Sequence, residues 1–208
     1  MRVINRKNSR GDTLIEVLFA TAVFSLVAVS ALSIMNQGTA TAQRALEINL
    51  VRQEIDSQAE TLRFLNASYV SSYQPGVAEY PGTPADEWRT IKERTVTSAS
   101  DFGTTSINGS DGCLIPEKSF ILNTHSAKVI ADSRPKYAVT FSQVKYGNEY
   151  VLNSAEGIWI EAVSSEAGSG PGESNIGYVD FHIRACWDSP GQSRPVTLGT
   201  IVRLYEPR

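Results

Sequence analysis

The sequence predicts an α+β protein: a long N-terminal α-helix, membrane-spanning in its first half, packed on a C-terminal antiparallel β-sheet. Three observations predict it. Thr13 to Met35 is a run of 23 residues with one charge, Glu16, and neither Gly nor Pro. Apolar residues then recur every three or four positions from Ala45 to Leu65, the spacing of one helix face. Near the C-terminus, Tyr178–Trp187 and Thr197–Tyr205 alternate apolar and polar residues on either side of Asp188-Ser189-Pro190-Gly191, the pattern of two antiparallel strands and their turn.

Taken in order, the apolar run is long enough for a bilayer, roughly 35 Å at 1.5 Å per residue. Thr21, Ser25, Ser30 and Ser33 interrupt it, and their hydroxyls can return to carbonyls three or four residues back. Ala20, Ala22, Ala28, Ala31 and Ser33 are small enough for close helix approach, or simply fit a membrane helix. No Pro falls between Thr39 and Leu65, so the helix is expected to continue to Leu65. Its inward stripe reads Ala45, Ile48, Val51 or Arg52, Ile55, Ala59, Leu62 and Leu65 or Phe64, with Glu47 and other charges on the remaining faces. Gly38 is either a joint or a tolerated glycine.

Beyond the helix, residues 67–84 and 97–112 read as long loops of Ser, Tyr, Gly, Pro and Thr. Thr83-Pro84-Ala85-Asp86 between them is a helix start, with Thr as cap and Pro at the first position. A short helix near Pro84–Lys92 follows, with Trp88 and Ile91 inward. Strands are expected at Ser119–Leu122, Tyr137–Val144, Ile158–Val163 and the two terminal stretches, with His182 as an exposed strand residue. The expected organisation is a leader at 1–11, a helix at 12–65 (13–35 in the membrane, 36–65 amphipathic) and a globular domain at 66–208.

Charge orients the span. Arg2, Arg6, Lys7 and Arg10 precede it with no acid before Asp12, and the first cation after it is Arg44. That places the N-terminus in the cytoplasm and the globular domain outside. The chain has 19 Lys+Arg and 22 Asp+Glu, a formal charge of −3. Removing residues 1–11 takes away four cations and no acid, which leaves −7. An acidic domain of this kind is poor ground for phosphate contacts, so no direct nucleic-acid binding is expected.

The basic leader, Gly11, and Thr13-Leu14-Ile15-Glu16-Val17-Leu18, with Glu fifth after the Gly, together resemble a type IV prepilin signal. That signal belongs to type IV pilins and to the pseudopilins of type II secretion and DNA-uptake machines. The resemblance covers about the first 55 residues; Asp12 stands where the family usually has Phe. It implies cleavage by a prepilin peptidase after Gly11, N-methylation of the new terminus at Asp12, and filament assembly through the N-terminal helix. It also implies that Glu16 pairs with the N-terminal amine of a neighbouring subunit. The partners implied are other pilin or pseudopilin subunits, the peptidase, an inner-membrane assembly platform and membrane lipid. The fold implied is pilin-like, and the role that of a minor pilin or pseudopilin in a filament at the cell surface or in a secretion machine. The alternatives are an uncleaved anchor and a membrane-anchored adhesion or binding module that does not polymerise.

Cys113 and Cys186 are the only cysteines. In an oxidising compartment two such thiols form a disulfide or, failing that, behave as small apolar residues. No catalytic residue, cofactor or metal is expected. His125 and His182 lack metal-ligand spacing, and no His-Glu-x-x-His, Gly-x-Ser-x-Gly or phosphate-binding loop is present. Gly168–Gly172 reads as a flexible loop, and Asn108–Gly112 as turn chemistry ahead of a calcium loop.

Overall fold

In the computed structural model of the chain the residues described are 12–96, 118–130, 138, 140–164 and 177–206. The α+β class is seen directly. Helix α1 runs from Asp12 to Ser72, 61 residues without a break. Helix α2 (Pro84–Lys92) follows, and then seven strands: β1 (Ile121–Asn123), β2 (Lys128–Ile130), β3 (Gln143–Tyr146), β4 (Leu152–Glu156), β5 (Ile158–Ser164), β6 (Tyr178–Trp187) and β7 (Val196–Tyr205). The chain divides into two compact units, Met1–Arg44 and Ala45–Arg208. The second unit begins inside α1 because residues 47–69 share a core with the strands.

Helix α1 is seven residues longer than the expected end at Leu65. Tyr69 extends the buried stripe of Leu62 and Leu65 by one more turn, and it packs on Tyr73 at 5.6 Å between ring centroids. The serines that read as loop formers bond within the helix instead: Ser68 Oγ donates to Phe64 O at 2.9 Å and Ser72 Oγ to Ser68 O at 2.9 Å. Burial of one aromatic thus overrides weak local propensity. The two ambiguous stripe positions resolve to Val51 and Leu65, both fully buried, while Phe64 is 52% exposed. Helix α2 starts as its sequence suggests. Thr83 Oγ1 accepts from Asp86 N at 3.3 Å, and Ala85, Trp88 and Ile91 are buried.

The strands form three antiparallel sheets, β1-β2, β3-β4 and β5-β6-β7, where one sheet was expected. β2 and β4 escape a reading by alternation because each is only three to five residues long. The expected Tyr137–Val144 strand is displaced to β3. Of its residues, Tyr137 and Val139 lie outside the described set, and Phe141 and Ser142 precede the ladder. β6 and β7 pair from Trp187↔Val196 to Tyr178↔Tyr205 without interruption, as alternation predicts. Gly157, which opens β5, has φ +63, and a Cβ there would come within 2.4 Å of Cys186 O. Only glycine fits that turn.

The core joins Val51, Ile55, Leu62 and Leu65 of α1 to Trp88 and Ile91 of α2, to Phe120 just before β1, and to Ile160, Phe181 and Ile183 of the strands. Trp88 lies 5.5 Å from Phe181 and 6.4 Å from Tyr69, centroid to centroid. Each side chain of this size contributes on the order of 1.5–3 kcal/mol by burial.

Candidate assembly site

Asp12 is the first residue of α1, and Glu16 follows one turn later with an exposed side chain. Gly11 lies outside the described residues. From Leu14 to Met35 the large apolar side chains are exposed, Phe24 by 75%. α1 is long and apolar enough to cross a membrane by length and composition. Three of its hydroxyls bond back into the helix: Thr21 Oγ1 donates to Leu18 O at 3.0 Å, Ser25 Oγ to Thr21 O at 2.7 Å and Ser30 Oγ to Leu26 O at 2.8 Å. Ser33 makes no such bond. A helix of this kind can enter lipid with one carboxylate in its first turns and most of its hydroxyls bonded within it.

Two polar residues of α1 tie it to the strands, and sequence reading missed both. Glu47, expected on the polar face, is buried. Its Oε2 accepts from Trp187 Nε1 at 3.2 Å and from Ser189 Oγ at 2.7 Å. Gln58, fully buried, donates to Leu122 O at 2.9 Å and accepts from Leu122 N at 3.0 Å, so its amide stands in for a neighbouring strand. Their place in the buried stripe, at steps of four and seven from Val51, was the available signal.

Cys186 is fully buried and disulfide-bonded, and its N–H donates to Gly157 O at 2.7 Å. Cys113 lies outside the described residues, as do the 97–112 segment and Gly168–Gly172.

Among the described residues no group of His, Cys, Asp and Glu is arranged to hold a metal ion. His125 sits between two tyrosines, 4.5 Å from Tyr146 and 4.6 Å from Tyr150 by ring centroid. His182 is half-buried rather than exposed; burial, and then Arg184, pull its pKa down. A shallow pocket of about 410 Å³ is lined by Tyr69, Glu79, Arg89, Lys92 and Glu93. Its cations are engaged: Arg89 with Asp86 and Glu93, Lys92 with Glu206. Glu161 is buried on β5, 3.6 Å from Arg184, and burial pushes its pKa above the usual carboxylate value, which Arg184 partly offsets.

No family model, curated protein or solved structure matches the chain.

Proposed function

We propose that this chain is a structural, non-enzymatic subunit of a type IV pilus-like filament, a minor pilin or pseudopilin with a pilin-like fold. Prepilin peptidase cleaves it after Gly11, Asp12 becomes the methylated terminus, and the chain polymerises through its N-terminal helix. The globular domain is extracytoplasmic. One observation carries the reading: Gly11 precedes in the sequence, and Glu16 stands near the head of, a helix whose first 23 residues after Asp12 expose apolar side chains while its later turns share a core with strands. Glu16 receives the amine of a neighbouring subunit. In a low-dielectric setting that pair aligns subunits in register as well as attracting them. Other pilin-like subunits, the assembly platform and lipid are the partners.

N-terminal sequencing of the protein from membranes is expected to begin at Asp12, and Met1 or another start overturns the processing step. Glu16→Leu is expected to leave membrane insertion intact and to remove the chain from filaments. Its normal incorporation sinks the assembly role.

A further inference from the structure

The docked part of α1 begins on a carboxylate. Within residues 41–50 Glu47 is the one buried side chain, and the first fully buried apolar residue, Val51, comes a turn later. From there the buried stripe runs through Ile55, Gln58, Ala59, Leu62 and Leu65 to Tyr69. Residues before Ala45 belong to the other compact unit. Among the described residues Glu47 is thus the first tie between α1 and the strands, and a pull on the helix from its apolar end reaches it first.

The receiving end of that tie is fixed. Trp187 closes the β6–β7 ladder opposite Val196, and Cys186 beside it is disulfide-bonded. Ser189 sits in a turn closed by Gln192 N–H on Ser189 O at 3.2 Å. On the helix side a single oxygen, Glu47 Oε2, accepts both donors, Ser189 Oγ at 2.7 Å and Trp187 Nε1 at 3.2 Å. Both bonds therefore open in one movement of one carboxylate. Hydrogen bonds to a charge are strong but directional, and water replaces them at the edge of a core. On opening, the carboxylate regains its hydration, whereas a leucine in its place would lose burial and gain nothing. A carboxylate at this position makes a tie that opens and re-forms.

We propose that Glu47, with Trp187 and Ser189, is a reversible latch. It sets the point to which α1 stays docked, and its opening frees residues 45–50 while the core from Val51 onward remains closed. Glu47 is a positioning residue here, acting through the β6–β7 turn. The latch goes beyond the filament reading and does not rest on it, since a chain that only anchors a domain would carry the same tie. Its place suits a helix whose earlier part is long and apolar enough to cross a membrane. Tension on that part is taken up in one or two turns of α1, and the core is spared.

Hydrogen exchange of the full-length chain in detergent micelles tests this. Glu47→Ala is expected to speed amide exchange of residues 45–50 at least about tenfold. Exchange of residues 58–69 and of β6 should change by less than about twofold, because local opening is confined to contiguous units. Glu47→Gln keeps an acceptor oxygen for Trp187 and Ser189, and is expected to return the rate to within about threefold of the native chain. Ser189→Ala removes the shorter bond without touching the helix, and should speed the same amides about threefold. Added to Glu47→Ala it should change nothing further, since both act through one contact. A speed-up spread evenly over residues 45–69 would make Glu47 an ordinary support of the core and overturns the proposal. So does an unchanged rate at 45–50, a Glu47→Gln rate equal to that of Glu47→Ala, or additive effects of Glu47→Ala and Ser189→Ala. Glu16→Leu tests the filament reading separately, and its outcome leaves the latch untouched.

Discussion

Gln58 shows how much one side chain on α1 decides. Its amide closes both backbone groups of Leu122, a buried residue at the centre of β1. Gln58→Leu keeps the volume and leaves a buried N–H and a buried C=O unmet. The expected loss is about 2–4 kcal/mol, read as a lowered denaturant midpoint of the full chain in detergent. A change below half a kcal/mol would mean that β1 finds its partners elsewhere. Glu47 works in the same way toward Trp187 and Ser189. Nothing in the local sequence distinguishes either residue from the exposed Glu60 or Gln53; only their phase on the helix does. Glu16 is the opposite case. The role proposed for it rests on Gly11 and the apolar run in the sequence, and among the described residues the fold brings no partner to its exposed side chain.

At the scale of elements, the β5–β6–β7 sheet carries two carboxylates with opposite pH behaviour. Burial raises the pKa of Glu161, so its proton is held more tightly folded than unfolded. Stability from this group is full below the unfolded value near 4.5 and declines as pH rises through the folded one. Glu161→Gln is thus expected to gain in stability relative to the native chain as pH rises above the unfolded value near 4.5. The Arg203 guanidinium holds Asp180 below the usual carboxylate range. Its contribution is present above the unfolded value near 3.8 and is lost as pH falls through the depressed one. Asp180→Asn should therefore cost stability at neutral pH and little in strong acid. Unfolding midpoints across that range check both signs, and a parallel pH response of the two variants would contradict them. The β6–β7 pairing was legible because ten alternating residues outweigh any local ambiguity. β2 and β4 were not, since three to five residues carry too few alternations to stand out.

For the whole molecule, the buried Cys186 disulfide matters most. With Cys113 as the only other cysteine of the sequence, we propose an intrachain bridge that closes a loop of more than seventy residues. Loop-closure entropy makes such a bridge worth up to about 4 kcal/mol. Intact mass is expected to rise by two hydrogens on reduction with no change in subunit number, and the unfolding midpoint to fall. A reduced dimer-to-monomer shift would point to a bridge between chains instead.

What the sequence determined by itself is what depends on long, one-dimensional patterns: the apolar helix with Glu16 at its head, the capped start of α2, and the terminal hairpin. Each is specified by neighbours in the chain, where periodicity and local hydrogen bonding act directly. What only the tertiary structure decided depends on residues far apart in sequence. Tyr69 carries α1 on to Ser72 because Trp88 is there to cover it. Glu47 and Gln58 turn inward because Trp187, Ser189 and Leu122 offer hydrogen bonds that a polar helix face would otherwise take from water. The same holds for the strands, which among the described residues divide into three sheets, with β7 paired to β6. Burial and pairing across the fold set those outcomes, and neither has a signature in the order of residues along one strand.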